Sequence, residues 1–238
     1  MPDERRAFEN QHAGAVREMF ATIAARYDLL NHLLSCNTDR RWRRVVARKL
    51  HDSIPPGSAR ILDVACGTGD LSLTLFEIIG ARVLGIDFCR PMLEIAARKS
   101  LDITFIEGDA LGLPFIDRSF DGLTIAFGLR NLSSLERGLR EFYRVLKPGG
   151  RIVVLEFSRP VIPGFRLLFQ FYFQKVVPFV GGLVSGSKGA YQYLPDSVTR
   201  FPDQATLASL LSEMGFRDVS YQNLTGGIAA VHFGRRPN

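Results

Sequence analysis

ILDVACGTGDLS, residues 61–72, runs from mostly apolar residues into two glycines that flank a threonine, and then into an acidic residue. This order predicts a buried strand that ends at Gly67-Thr68-Gly69 and turns directly into a helix. Such a turn presents backbone N–H groups and the positive end of a helix dipole, so we expect a polar or anionic ligand beside it. A dinucleotide site would need a third glycine where Ser72 stands. Glycines that only shape a tight turn are the alternative.

Acidic residues also end or follow the next two predicted strands. Asp87 ends the segment ARVLGID, and Asp109 follows ITFIE in the run Gly108-Asp109-Ala110. Because the carboxyl ends of parallel strands meet at one edge of a sheet, we expect both carboxylates near the glycine turn. In a doubly wound fold, an acid in the place of Asp87 accepts hydrogen bonds from ribose hydroxyls. The alternative for both acids is that they cap the helices that follow.

Five short apolar segments alternate with stretches long enough for a helix, which predicts an α/β fold with a mostly parallel sheet. These segments are ARILDVA, ARVLGID, ITFIEGD, FDGLTIAF and RIVVLEF. Residues 17–50 have apolar positions at helical spacing with a break around residues 35–38, so two or three N-terminal helices are expected. Residues 205–216 predict a late helix that ends at Gly215, and residues 220–236 predict a final strand pair that turns at Gly226 and Gly227.

Residues 158–201 form an insertion between the fifth strand and the late helix. It contains the run FRLLFQFYF, in which apolar positions such as Phe165, Leu168 and Phe169 repeat at helical spacing. This spacing is typical of core packing or of a dimer face. The insertion holds more aromatic residues than a simple connection needs, so we expect specificity to be built here.

Composition narrows the class of protein. The 238 residues, 46% of them hydrophobic, can bury a core of one α/β domain, and the net charge is +6. Arg and Lys concentrate in residues 38–49, which predicts a solvated helix face, with anionic lipid as the main alternative partner and no nucleic acid. Cys36, Cys66 and Cys89 form no paired motif, so a reducing compartment without disulfides is expected. No signal peptide or membrane span is predicted, and the cytoplasm is the expected location.

The motif DVACGTG, residues 63–69, resembles the first motif of the class I S-adenosylmethionine-dependent methyltransferases, with Ala65 where many members have glycine. Longer segments resemble one group in that class, the C-methyltransferases of menaquinone and ubiquinone biosynthesis. YDLLNHLLSCNTDRRW is similar to the first signature of this family, and three further segments also look like family segments: AFGLRN (126–131), RVLKPGGRIVVLEFS (144–158) and NLTGGIAAVHFG (223–234). Together these segments are far more specific than the glycine turn alone.

The resemblance implies a Rossmann-like class I methyltransferase fold, with a mostly parallel seven-stranded sheet and helices on both faces. A single domain, residues 1–238, is expected, with an N-terminal helical cover over residues 1–54 and a helical, aromatic-rich insertion or lid over residues 158–201. The implied cofactor is S-adenosyl-L-methionine, the methyl donor. The cofactor-binding residues implied at the strand ends are Gly67, Gly69, Thr68 (methionine part), Asp87 (ribose), Asp109 and Ala110 (adenine), and Ala126.

Three residues depart from the family pattern. Leu30 stands where the first signature usually has methionine, and Asp39 where it usually has histidine. Ala126 stands where many relatives have a serine near the cofactor, so only its backbone is expected to contribute there. Asp39 argues against any mechanism that needs an imidazole at that position.

In the implied reaction, a methyl group passes to a ring carbon of a hydroquinol whose neighbouring hydroxyl loses its proton. An unperturbed phenolic hydroxyl titrates near ~10, so we expect Arg130, with Asn131, to hold the developing phenolate, because a guanidinium stays protonated. Tyr27, Asp28 or a water are the candidates for the base. The alternatives are a surface ion pair for Arg130, a helix N-cap for Asn131, and packing or capping for Tyr27 and Asp28. Glu156 ends the fifth strand, either as a ligand-facing acid or as an anchor for loop amides.

The first functional hypothesis is S-adenosylmethionine-dependent C-methylation of demethylmenaquinol to menaquinol. Methylation of 2-methoxy-6-polyprenyl-1,4-benzoquinol in ubiquinone biosynthesis is the alternative within the family, and the general look of residues 193–202 favours menaquinone. A non-catalytic scaffold that binds the cofactor or a lipid is the alternative from another class.

The expected partner is a polyprenyl quinol, whose tail would run in an apolar channel of the insertion. Peripheral contact with the inner face of the cell membrane and a homodimer are both left open. No metal is expected, because His12, His32, His51 and His232 show no spaced cluster with cysteines or acids.

Overall fold

The computed structural model describes residues 2–54, 59–164, 169, 171–176 and 188–238. Within these residues the strands are β1 (Arg60–Val64), β2 (Arg82–Asp87), β3 (Thr104–Glu107), β4 (Phe120–Ala126), β5 (Leu146–Phe157), β6 (Arg217–Leu224) and β7 (Ala229–Arg235). The helices are α1 (Pro2–Leu34), α2 (Thr38–His51), α3 (Asp70–Ile79), α4 (Arg90–Lys99), α5 (Leu135–Val145), α6 (Lys188–Arg200) and α7 (Gln204–Glu213). A 3-10 turn covers Leu129–Asn131, and a π-helical segment covers Tyr172–Val176.

The strands form one sheet in the order β3-β2-β1-β4-β5-β7-β6. Strands β1 to β5 run parallel to one another, and β7 runs antiparallel to both β5 and β6. The chain order reverses beside β1, which pairs with β2 on one side and β4 on the other. Open α/β sheets bind ligands in the crevice at such a reversal. The predicted α/β class and the mostly parallel seven-stranded sheet are confirmed.

The core lies on both faces of the sheet, as a parallel sheet requires. On one face, Leu62 packs in a cluster with Phe142 of α5 and Leu211 of α7. On the other face, Ile61 packs in a cluster with Leu50 of α2. Full burial of side chains of this size contributes roughly 1.5–3 kcal/mol each. Helices therefore cover both faces, as predicted.

The N-terminal helices meet at the predicted break. Cys36 and Asn37 have left-handed φ values of 50° and 60° between α1 and α2, a conformation that asparagine tolerates better than most residues. Helix α2 then buries Trp42, Val46 and Leu50 at helical spacing. The break thus folds α2 back under the sheet, so that its apolar face joins the core.

The C-terminal predictions are also confirmed. Gly215, with a φ of 98°, follows the end of α7. Strands β6 and β7 pair through a short turn at Thr225–Gly227, in which Gly226 and Gly227 have positive φ values of 67° and 92°. A side chain at Gly227 would lie 3.0 Å from the carbonyl oxygen of Arg159.

The expected cover over residues 1–54 and lid over residues 158–201 stay predictions. Phe165 and Leu168, which support the helical interpretation of the insertion, lie outside the described residues. Among the described helices, none combines the length and the apolar character that a bilayer crossing requires.

Candidate active site

A cleft lies at the carboxyl ends of β1 to β4, and we call it the sheet-edge cleft. Its lining includes most of the residues predicted to bind the cofactor: Gly67, Asp87, Asp109, Ala110 and Ala126. Tyr27 and Phe20 of α1 close it on the side away from the sheet. The parallel strands therefore bring residues that are far apart in sequence to one edge, as their spacing predicts.

Thr68 and Gly69 do not line this cleft. The Thr68 hydroxyl is buried and donates a hydrogen bond to the Asp28 carboxylate. Gly69 has a φ of +83°, and a side chain there would lie 3.0 Å from Phe105. Gly69 thus allows close helix–strand packing, while Gly67, with a φ of +55°, is the glycine of this turn that lines the cleft.

Asp87 supports the glycine turn as well as facing the cleft. Its carboxylate accepts hydrogen bonds from the backbone N–H of Gly67 at 2.8 Å and of Cys89 at 2.9 Å. Burial raises the pKa of Asp87, and these amides oppose the rise. Asp109 is exposed and accepts a hydrogen bond from the Leu111 N–H at 2.9 Å. Asp87 therefore stabilises the start of α4, as the capping alternative predicts. Asp109 caps no helix, because β3 leads to β4 through turns in the described residues 108–119. Both acids also line the cleft.

Asp63, at the end of β1, belongs to the core. Its carboxylate accepts hydrogen bonds from the hydroxyls of Ser72 at 2.6 Å and Thr124 at 2.8 Å. Burial raises its pKa to about 6, although both hydrogen bonds oppose the rise. Asp63 thus joins β1, α3 and β4 without facing the cleft.

The residues of the sheet-edge cleft fit S-adenosylmethionine. The two carboxylates of Asp87 and Asp109 have acceptor capacity left for hydroxyl or amino groups. Ile86 and Phe88 offer apolar surface for a flat base, and Gly67 lets the ligand approach the backbone. A nucleoside with a cationic extension has the groups that this set of residues can bind.

A second cavity of about 500 Å³ adjoins the cleft, and its size is typical of a ligand site. We call it the aromatic chamber. Three rings make mutual contacts on its wall: the ring centres of Trp42 and Phe157 lie 6.0 and 4.6 Å from that of Phe127. Phe169 and Tyr172 of the insertion line it as well.

The two cavities meet at Phe20, Tyr27 and Phe127, which line both. Phe127 has a left-handed φ of 58°, which is strained for a bulky residue and is often found at functional sites. Its carbonyl oxygen accepts hydrogen bonds from Arg130 at 2.6 Å and Asn131 at 3.3 Å. Phe127 therefore lies where the two cavities meet, and its carbonyl oxygen holds the side chains of Arg130 and Asn131, the two predicted catalytic residues.

Arg130 forms a buried ion pair, so the surface alternative is wrong. Its Nη1 lies 2.7 Å from Glu156 Oε1, with the two side chains 7% and 1% exposed. Glu156 also accepts hydrogen bonds from the N–H groups of Arg130 and Phe157. The anchoring interpretation of Glu156 is thus confirmed. Arg130 lines the chamber, and its Nε is buried without a hydrogen-bond partner in the described part of the chain.

Asn131 is held by two neighbours and is not a helix cap. Besides its contact with Phe127, its Oδ1 accepts a hydrogen bond from the Tyr193 hydroxyl at 3.1 Å. The residue at the N-cap of α5 is Ser134, so the N-cap alternative for Asn131 is wrong. Asn131 lines the cleft and Tyr193 lines the chamber.

Tyr27 and Asp28 point to different places. Burial raises the pKa of Tyr27, against the hydrogen bond of Asn31 and the charge of Arg130, so Tyr27 is a neutral donor at the junction rather than a base. Asp28 lines neither the sheet-edge cleft nor the aromatic chamber. Its carboxylate accepts a hydrogen bond from the Thr68 hydroxyl and lies 2.6 Å from the Lys99 ammonium nitrogen. These contacts favour the packing alternative for Asp28, in which it holds α1 to the glycine turn.

A charged cluster beneath the chamber was not evident from sequence spacing. His32 Nδ1 lies 2.8 Å from Asp39 and Nε2 lies 3.6 Å from Asp70, so the expectation that the histidines form no cluster with acids is wrong. Arg43 contacts both carboxylates. Burial would raise the pKa of Asp39, but the Ser35 hydrogen bond and the Arg43 charge outweigh burial and lower it. Arg43 thus brings a positive charge to the two carboxylates of this cluster.

Sequence patterns alone did not single out Phe127, Trp42 or Tyr193. Phe127 lies within the AFGLRN segment, and Tyr193 within the segment that favoured menaquinone. These residues could have been found only because they lie in segments that resemble the family. Their side-chain types alone do not indicate a role in the site.

The chain matches known proteins over nearly its full length. The model of the ubiE/COQ5 methyltransferase family matches residues 6–236. The demethylmenaquinone methyltransferase of Thermus thermophilus is 53% identical and covers 92% of this chain and 100% of its own length. The protein of the same name from Deinococcus radiodurans is 48% identical over 92% of each chain. The ubiquinone/menaquinone biosynthesis C-methyltransferase UbiE of a Geobacter species is 47% identical over 93% of this chain and 96% of its own.

Solved structures with little sequence identity share the fold. The [4+2]-cyclase SpnF has a TM-score of 0.68 at 19% identity and covers 93% of this chain and 95% of its own. A SAM-dependent methyltransferase from Thermotoga maritima has a TM-score of 0.64 at 21% identity over 92% of this chain and 98% of its own. Structural similarity at such low sequence identity supports the fold alone. The chemistry has to be argued from the residues of the site.

Proposed function

Because the chain belongs to the ubiE/COQ5 methyltransferase family, we propose that it transfers a methyl group from S-adenosylmethionine to a ring carbon of demethylmenaquinol in menaquinone biosynthesis. The names of the relatives from Thermus thermophilus and Deinococcus radiodurans support this substrate. The observation that carries the proposal is the junction at Tyr27 and Phe127, where a nucleoside-type cleft meets an aromatic chamber.

The sheet-edge cleft would hold the methyl donor. Asp87 would accept hydrogen bonds from the ribose, and Asp109 with Ala110 would contact the adenine, while Gly67 and the backbone of Ala126 would lie along the rest of the molecule. Thr68 and Gly69 would act indirectly, because Thr68 ties the turn to Asp28 and Gly69 allows the turn to pack. S-adenosylmethionine supplies an electrophilic methyl group on a sulfonium.

The aromatic chamber would hold the hydroquinol ring. Arg130 would stabilise the phenolate through N–H groups that Glu156 leaves available, and Asn131 would orient the same ring from the cleft side. Since Tyr27 is neutral and Asp28 faces away, water is the remaining candidate to take the hydroxyl proton. A carbon–carbon bond to the ring would form as the donor's methyl–sulfur bond breaks. The proton on the methylated carbon would then pass to the ring oxygen that had lost its proton, which restores the hydroquinol. A dry aromatic wall favours this step because charge disperses as the sulfonium becomes a thioether.

Methylation of 2-methoxy-6-polyprenyl-1,4-benzoquinol is the second candidate function. The name of the Geobacter relative includes both ubiquinone and menaquinone biosynthesis, which supports this alternative. Both acceptors place a phenolic oxygen beside the carbon that is methylated, so the same site would serve either.

We extend the proposal to the setting of the reaction. The enzyme would work in the cytoplasm at the inner face of the cell membrane, on a polyprenyl quinol, without a metal and without nucleic acid. A homodimer stays a prediction.

A methyl-transfer assay tests the proposed function. The purified chain, labelled S-adenosylmethionine and a short-chain demethylmenaquinol should give labelled menaquinol, and the matching benzoquinol, run in parallel, measures the second candidate. Binding of the donor without transfer to either quinol would support a scaffold and contradict the proposal.

A further inference from the structure

Helix α2 presents a row of arginines to solvent. Arg40, Arg41, Arg44 and Arg48 are exposed and lie on one side of the helix, and we call them the basic face. None of the four forms an ion pair within the described residues, whereas Arg43, which lies outside this face, is buried against two carboxylates. Four unpaired arginines without an interspersed acid favour an anionic partner.

Exposed apolar side chains gather around the opening of the aromatic chamber. Leu33, Val161, Ile162 and Phe171 are 52%, 57%, 53% and 62% exposed, and we call them the apolar rim. The opening is marked by Cys36 and Thr225, the chamber-lining residues that are exposed.

Hydrogen bonds join the segments that carry the rim. The Tyr172 hydroxyl, beside Phe171, donates to the Leu34 carbonyl oxygen, beside Leu33, at 2.8 Å. The Val161 N–H donates to the carbonyl oxygen of Gly226, next to Thr225, at 3.0 Å. The basic face begins at Arg40, in the first turn of α2 and four residues after Cys36. The rim and the basic face therefore border one opening.

We propose that the basic face and the apolar rim together dock the protein on an anionic lipid bilayer, with the chamber open toward the hydrocarbon. This inference rests on the proposed function, since it assumes an acceptor that is dissolved in lipid. Apolar side chains enter the interface while arginines bind anionic headgroups, and the two contributions add.

Two other partners fit less well. A two-fold contact between copies of this chain through the basic face would oppose arginine to arginine. Nucleic acid would satisfy the arginines but would leave the apolar rim in water.

Vesicle co-sedimentation tests the surface, with phosphatidylcholine vesicles that either contain or lack phosphatidylglycerol. The double variant Arg44→Glu/Arg48→Glu should bind the anionic vesicles at least roughly 30-fold more weakly than the wild type, as expected when about two headgroup contacts are lost. The matched control Arg82→Glu/Arg217→Glu makes the same charge change at exposed arginines outside the basic face and should bind much more tightly than the first variant. Val161→Ser/Phe171→Ser should also weaken binding, whereas Leu101→Ser/Ile116→Ser, at exposed apolar residues elsewhere, should not.

Activity separates this inference from the proposed function. All four variants should methylate a soluble short-chain quinol at the wild-type rate, and the α2 variant should lose activity only on a quinol that is embedded in vesicles. Equal vesicle binding by the α2 variant and its control would overturn the docking surface while leaving the methyl transfer intact. Tight binding of duplex DNA, or a dimer that buries these arginines, would overturn it in favour of another partner.

Discussion

The sheet-edge cleft and the aromatic chamber adjoin, yet the chain builds them by different means. The cleft is formed mainly by short loops that follow β1 to β4, and Gly67 and Asp87 shape it through backbone hydrogen bonds. The chamber brings together α1, α2, the insertion and the turn between β6 and β7. A cofactor site can thus follow from strand topology, whereas an acceptor site depends on side chains from distant segments.

One pair of residues connects the strand edge with the chamber. Glu156 lies at the end of β5 and fixes Arg130 in the chamber wall, while it also accepts hydrogen bonds from the backbone amides of Arg130 and Phe157. Arg130 is therefore a structural residue as well as a candidate catalytic one, and a test must separate the two roles.

The largest effect is expected in the chamber. Arg130→Ala leaves the Glu156 carboxylate buried and unpaired, so the free energy of unfolding should fall by roughly 3–5 kcal/mol. Turnover should fall by about 10²–10³-fold, with donor affinity nearly unchanged. The double variant Arg130→Met/Glu156→Gln should regain stability but not turnover. Full activity in that double variant would show that Arg130 has only a structural role.

A second prediction concerns Asp63, the strand-end acid that does not face the cleft. Its pKa of about 6 exceeds the unfolded value of about 3.9, so between about pH 4 and 6 the native state keeps a proton that the unfolded chain has lost. Stability should therefore fall as pH rises through this window, by up to roughly 3 kcal/mol relative to Asp63→Asn. Urea unfolding of both proteins across the window measures the difference, and exposed Asp102→Asn is the control. Parallel curves for wild type and Asp63→Asn would contradict the raised pKa.

A third prediction concerns Asp87, the acid that lines the cleft, and its effect on ligand binding. Asp87→Ala should weaken the binding of S-adenosylhomocysteine by roughly 10–100-fold, because a charged hydrogen-bond acceptor is lost. Turnover at saturating donor should fall far less. Isothermal titration gives the affinities, with Asp63→Asn as a variant that should retain wild-type affinity. If both variants bound the product equally well, the ribose role of Asp87 would be excluded.

The smallest effect is expected at Tyr193. Tyr193→Phe removes the hydroxyl that donates to Asn131, and a hydrogen bond of this kind is worth roughly 0.5–1.5 kcal/mol. Turnover should fall by about 2- to 10-fold with unchanged donor affinity. Initial rates at saturating donor measure this loss of turnover. If the substitution changed only the affinity for the donor, Tyr193 would act on the sheet-edge cleft and not on the aromatic chamber.

Most of the fold and much of the cleft could be predicted from the sequence. The alternation of apolar segments with helix-length stretches predicted the five parallel strands and most of the helices between them. It was wrong between β3 and β4, where the described residues 108–119 form turns and no helix. Gly67, Asp87 and Asp109 could be placed because strand ends of a parallel sheet share one edge. Thr68 could not be placed correctly, because its side chain is taken by Asp28, which lies on a separate helix.

The chamber was harder to predict for a physical reason. Arg130 and Glu156 pair across 26 positions, and Tyr193 reaches Asn131 across 62. The contacts of His32 with Asp39 and Asp70 likewise depend on how α1, α2 and α3 pack. The left-handed backbone of Phe127 has no sequence signal of its own, since it is held by hydrogen bonds to its carbonyl oxygen from residues that follow it.

A crystal structure with S-adenosylhomocysteine and a short-chain naphthoquinol analogue tests the central claim most directly. We expect the ribose on Asp87, the sulfur directed toward the junction at Tyr27 and Phe127, and the quinol ring in the aromatic chamber with an oxygen near Arg130. A nucleoside bound away from Asp87, or a quinol ring outside the chamber while the donor site is filled, would contradict the account.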